Sequence, residues 1–148
     1  MSEKQLNAII KKGYAKRLAA YNRSVWYLAQ VPVAEAGVWK RAGGLPLNWT
    51  NDSLLRTATL IRERGFSRFR VHAQRAKKVI PLVLNNSILL EQQEKYLLPI
   101  GFKHGTGTPA RSRLKRKVAV DIDDGCMRSI AMAVSGKRLM RMYVGMPE

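Results

Sequence analysis

The chain has 148 residues, with 27 Lys and Arg against 10 Asp and Glu, for a formal charge of +17. An apolar content of 46% is that of a globular chain rather than a disordered one. No apolar run approaches the ~18 residues that a membrane-spanning helix needs, and one cysteine, Cys126, excludes an internal disulfide framework or a multi-cysteine zinc site.

In chain order, residues 3–29 predict helix for most of their length. Leu6, Ile9, Ile10, Leu18 and Tyr21 recur near helical spacing, Gly13 weakens the middle, and Trp26, Tyr27 and Leu28 close the stretch as an apolar cluster. MSEKQLNAIIKKGYAKR has no continuous apolar core and no small-residue cleavage site, so a secretory leader is not expected and a cytoplasmic, reducing location is. Residues 31–50 carry Pro32, Gly37, Gly43, Gly44 and Pro46 and read as a connecting segment anchored by Val38, Trp39 and Trp49. Trp39, beside Lys40 and Arg41, has two readings, a buried anchor or a platform for a base.

Asn51 and Asp52 are N-cap candidates for a helix over 53–64, with Gly65 just past its end. Ser67 then caps a basic helix over 68–78, although FSRFRVHA reads equally as a strand. A helix-turn-helix is a poor match, because Ile61 stands where a small residue belongs. VIPLVL, ended by Asn85-Asn86, suits a buried strand, and ILLEQQEKYLL a helix stopped by Pro99. GFKHGTGTPARSRLKRK reads as an exposed loop whose Gly105-Thr106-Gly107-Thr108 lacks the full phosphate-loop pattern.

The charge is unevenly placed. Residues 56–78 hold eight basic side chains and one acid, and residues 103–117 hold six basic side chains and none. Acids on a merely solvated face would be interspersed, so a polyanion is the expected partner: nucleic acid, DNA ahead of RNA. Its candidate contacts are Arg62, Arg64, Arg68, Arg70, Arg75, Lys77 and Lys78 in the first stretch, and Arg111, Arg113, Lys115, Arg116 and Lys117 in the second. The basic stretches lack an aromatic-rich amphipathic face, so a membrane surface is not expected. An acidic protein is the alternative partner. His72 and His104 read as solvent-facing or nucleic-acid-facing, without a partner of their own.

Residues 117–145 carry the most chemistry. Val118, Val120 and Ile122 alternate as in a strand, Asp124-Gly125 turns, Met127 to Val134 form a compact helix ending at Ser135-Gly136, and Arg138 to Val144 alternate as a second strand. Such a turn aims the amides of Cys126, Met127 and Arg128 out of a helix N-terminus, where the dipole favours an anion. Arg128 and Ser129 can add a guanidinium and a hydroxyl to make a phosphate site over Gly125–Ser129. The competing reading is an ordinary strand–helix connection, with Arg128 paired to Asp124. Asp121 and Asp123 share a strand face, which admits Mg²⁺ against a phosphate or simple neutralisation of the basic loop.

Asp123-Asp124-Gly125-Cys126-Met127-Arg128, followed by the small-residue helix Ser129 to Val134, Gly136 and a closing strand, resembles the signature turn of the ParB/sulfiredoxin superfamily. The resemblance covers residues 115–145, extending loosely back to 79. It implies a turn that binds nucleotide phosphates, a nucleoside triphosphate with Mg²⁺ as cofactor, and a phage or plasmid setting. Met127 stands where many members carry His or a second Arg. The resemblance also makes Cys126 a candidate reactive thiol, since a thiol at a helix N-terminus near Arg128 should ionise more readily; the missing His and the three nearby carboxylates favour the other reading, a small buried turn residue.

The expected fold is α+β: a basic helical region, 1–78, with a small mixed-sheet unit, 79–148, the two parts forming one compact domain or two. The expected function is nucleic-acid binding with a phosphate-binding turn at 125–129. The alternatives are a metal-assisted nuclease or nucleotide-dependent phosphotransferase, with Asp121, Asp123, Asp124 and Cys126 as catalytic candidates, and a non-catalytic protein docking on an acidic partner.

Overall fold

The computed structural model describes residues 15–67, 72–114 and 117–148. Six strands build one mixed sheet: β1 (Ser24–Pro32), β2 (Ala36–Val38), β3 (Asp52–Ser53), β4 (Ile100–Lys103), β5 (Val120–Asp124) and β6 (Leu139–Pro147). Their order across the sheet is β1-β6-β4-β5-β2-β3. β6 runs parallel to β4, and β5 parallel to β2; the other neighbours are antiparallel. The helices are α1 (Ala15–Asn22), α2 (Leu54–Arg64), α3 (Gln74–Leu84), α4 (Ser87–Lys95), the single turn α5 (Pro109–Ser112) and α6 (Cys126–Val134). The fold is α+β, and among the described residues no helix is long and apolar enough to cross a membrane.

The strand–turn–helix–strand unit forms as the alternation predicts: β5, Gly125, α6, β6. α6 is the central helix and packs against both α2 and α3. Its small residues, Ser129, Ala131 and Ala133, are buried together with Ile130 and let neighbouring elements come close. Val38, Leu54, Ile80, Ile122, Ile130 and Met142 are fully buried in the resulting core. Each buried aliphatic side chain of this size stabilises the fold by about 1.5–3 kcal/mol relative to exposure. A second, smaller cluster joins Ala20 and Tyr21 of α1 to Ile100 and Phe102 of β4. Tyr21, Trp26 and Phe102 stack there with ring centroids 5.1–5.3 Å apart.

Several predicted elements change type. Residues 24–29, expected as the end of a helix, belong to β1, which pairs along the whole of β6. β-branched and aromatic side chains (Val25, Trp26, Tyr27) favour a pleated, half-buried strand over a helix. VIPLVL, expected as a strand, lies in α3, because Ala76, Ile80 and Val83 form one helical stripe that buries against the core. The expected boundary at 78/79 falls inside α3. Part of the expected loop 101–117 is structured, as β4 and α5. The cap of α2 is Ser53, whose Oγ accepts from the Arg56 amide at 3.2 Å, rather than Asn51 or Asp52. Gly65 ends α2 as expected. Of the helix expected over 3–29, Ala15–Asn22 forms α1, and residues 3–14 lie outside the described residues.

Candidate functional site

A cleft of about 730 Å³ opens beside the Gly125 turn. Its volume is within the range of small-molecule sites. Three arginines from three separate segments line it: Arg75 from the first turn of α3, Arg111 from α5, and Arg128 from α6. Thus each basic stretch seen in the sequence contributes one cation to the cleft that borders the turn. The facing wall is apolar, with Val79, Leu82, Val83, Leu89 and Leu97.

Gly125 adopts φ +88°, a conformation that side-chain-bearing residues rarely hold. It starts α6 directly after β5, and the Ser129 amide donates the first ladder bond, to the Gly125 carbonyl at 2.9 Å. The amides of Cys126, Met127 and Arg128 precede that ladder and form the positive end of the helix. The hydroxyl of Ser129 donates to the Gly125 carbonyl at 2.7 Å, so it serves the helix and not an incoming anion.

Arg128 is half-buried. Its Nε donates to the Leu97 carbonyl at 3.1 Å and its Nη2 to Asp124 Oδ2 at 3.4 Å. The pairing with Asp124 is the one that the competing sequence reading named. The Arg111 guanidinium lies 4.6 Å from the Trp39 ring centroid and donates to the backbone carbonyl and carboxylate of Asp123. Trp39 is therefore an anchor for Arg111, on the half-buried floor of the cleft.

The acidic candidates are held by intrachain partners. Asp121 is buried, with Oδ1 2.8 Å from His104 Nδ1 and Oδ2 accepting from the Gly105 amide at 2.8 Å. Burial pushes its carboxyl above the ordinary range, offset in part by the Gly105 amide and His104. His104 thus has a partner, contrary to the sequence expectation. Asp123 is also buried, and its Oδ2 accepts from the Tyr21 hydroxyl at 2.8 Å. Both carboxylates thus serve as hydrogen-bond acceptors within the fold. Among the described residues, no group of three or more His, Cys, Asp or Glu side chains is placed to hold a metal ion.

Cys126 does not behave as a helix-end thiolate. It is buried, and desolvation pushes its thiol up to about 12, a rise that Arg111 nearby only partly offsets. Burial outweighs the helix terminus, and Cys126 is the small buried turn residue of the second reading.

The wider basic set divides. Arg64, Lys78, Arg113 and Lys117 are exposed, Lys77 is half-buried, and Arg75 is exposed at the cleft. Arg62 instead caps the C-terminal end of α6: its Nε donates to the Val134 carbonyl at 2.9 Å and its Nη2 to the Ala133 carbonyl at 3.2 Å. Arg68, Arg70, Lys115 and Arg116 lie outside the described residues. One cleft residue was legible only as a position of the helix pattern, with no functional role read for it. Gln93 on α4 is buried and borders the cleft, and its only signal was a polar residue on the inward face of an otherwise apolar helix pattern. Comparison with protein-family models, with curated proteins and with solved structures finds no match to this chain.

Proposed function

We propose that the chain is a nucleic-acid-binding protein, DNA ahead of RNA, whose cleft at the Gly125 turn takes a phosphate, either of a nucleotide or of the nucleic-acid backbone. The observation that carries this is the convergence of Arg75, Arg111 and Arg128 around the N-terminus of α6. Guanidinium groups and helix-end amides are both suited to phosphate. Arg64, Lys78, Arg113 and Lys117 are exposed and add to the net positive field that can steer a polyanion. The resemblance of residues 123–128 to the ParB/sulfiredoxin turn points the same way.

The test is duplex affinity as a function of salt. Neutralising about six phosphates predicts a log–log slope of roughly −5. Charge reversal at Arg113 and Lys117 should make the slope shallower, and free nucleotide should compete if the cleft and the duplex site coincide. Affinity that does not change between low and moderate salt would overturn the nucleic-acid reading.

A further inference from the structure

β1 forms one margin of the sheet and pairs with β6; among the described residues no strand lies on its other side. The opposite margin, β3, is two residues long, so the sheet has one long open edge. Bonds at the two ends of β1 fix which groups face outward. The Glu148 amide donates to the Arg23 carbonyl at 3.3 Å, and the Val33 amide to the Arg138 carbonyl at 2.9 Å. Antiparallel pairing alternates, so the odd-numbered residues of β1 bond to β6 and the even-numbered ones face out. Ser24, Trp26, Leu28 and Gln30 thus present N–H and C=O groups to the open side. Pro32, which has no N–H, also falls at an outward position, where it costs no bond to β6.

Exposed sheet edges are commonly blunted by shortness or by charge. β3 is short and carries Asp52. β1 has nine residues, SVWYLAQVP, and no charged side chain, in a chain with 27 Lys and Arg. Val25, Tyr27 and Leu28 are exposed on it, and so is Met146, which stands beside Val25 on β6. Two chains of charge +17 repel each other, and an uncharged strand lets them meet without setting cation against cation.

We infer that two copies of the chain join through β1, antiparallel about a two-fold axis, to make one continuous sheet. Pairing Ser24 with Gln30 and Trp26 with Leu28 of the other copy gives every outward N–H a carbonyl and leaves Pro32 beyond the paired stretch. In this register Tyr27 meets Tyr27 at a non-hydrogen-bonded position, where side chains lie closest. Arg23 falls opposite Val31, so no cation faces another. The contact is isologous and uses the long edge up, so it closes at a dimer instead of growing into a filament. It does not depend on the phosphate reading of the cleft.

Sedimentation equilibrium of the nuclease-treated, full-length protein tests this. Wild type should weigh twice the 16.7 kDa of one chain. Added salt should hold or tighten the dimer, because it screens the repulsion between like charges, whereas it weakens nucleic-acid binding. Leu28→Pro removes an outward donor, spares the bonds to β6, and should loosen the dimer roughly tenfold or more. Tyr27→Lys sets two cations against each other at the axis and should yield a monomer. By NMR, the Trp26 and Leu28 amides should exchange slowly in wild type and fast in Tyr27→Lys. A wild-type monomer throughout the micromolar range, a dimer that survives in Tyr27→Lys, or one that dissociates as salt is added overturns the inference. Slow exchange of those two amides in a monomer also overturns it, and gives the edge to another segment of the same chain.

Discussion

Arg128 lies folded over Gly125. A β-carbon at Gly125 would stand 2.7 Å from Arg128 Nη2, so the guanidinium occupies the space that the glycine leaves open. The same residue that turns the chain by a positive φ thus makes room for the cation above the turn.

Gly125→Ala should therefore do two things at once. The left-handed backbone costs about 1–2 kcal/mol with a side chain present. The displaced Arg128 also loses its seat against the Leu97 carbonyl and Asp124. Thermal melting and nucleotide titration of this variant should show a lowered melting temperature together with weakened binding.

Arg62 should behave differently from the cleft arginines. Its two bonds to the Val134 and Ala133 carbonyls sit at the opposite end of α6 from the Gly125 turn. Arg62→Gln should destabilise the fold by about 1 kcal/mol, as expected for a cation lost from a helix C-terminus. Nucleotide affinity should stay unchanged. Denaturant unfolding and titration on the same preparation separate the two effects.

Cys126 should resist thiol reagents at pH 8 in the native protein and react promptly in denaturant. Its folded thiol ionises only near about 12, against 9.0 without the burial. The unfolded chain therefore releases its proton first, and stability should fall as pH rises above about 9. Cys126→Ala should remove that part of the alkaline loss, read as melting temperature against pH.

Much of the C-terminal half was legible because its signals are local. The period-two alternation of Val118, Val120 and Ile122, the Asp124-Gly125 turn and the small-residue helix all lie within a few residues of one another, and the structure follows them closely. β1 was not legible, because what makes residues 24–32 a strand is β6, more than a hundred residues later. Only the start of α3 was legible, as residues 74–78 of the basic helix expected over 68–78; the rest was read as a strand because that window began at Val79. The buried stripe starts at Ala76, and Pro81 inside it resembles a break. Within the site, the turn and Arg128 could be read from spacing. The burial of Cys126, the His104–Asp121 pair and the orphan oxygen of Gln93 depend on contacts between distant segments.

The His104–Asp121 pair gives a further test. Burial raises the Asp121 carboxyl above its ordinary value near 3.8, so the charged form is disfavoured in the fold. The unfolded carboxyl loses its proton at lower pH than the folded one, and stability should decline as pH rises through that interval. Asp121→Asn keeps an acceptor for the Gly105 amide and a donor for His104. It should melt at least as high as wild type and lack that decline, whereas Asp121→Leu, which leaves both partners unpaired, should be destabilised by about 1–3 kcal/mol.

The central claim is that the cleft at the Gly125 turn holds phosphate through its arginines. Tripolyphosphate titration of wild type, Arg75→Ala, Arg128→Lys and Arg128→Ala tests it most directly. A lysine cannot reproduce the planar fork of a guanidinium. The account predicts that Arg128→Lys and Arg128→Ala lose roughly tenfold or more in affinity to nearly the same extent, and that Arg75→Ala is also weakened. Equal affinity across all four proteins would contradict it and reduce Arg128 to an ion-pair partner of Asp124.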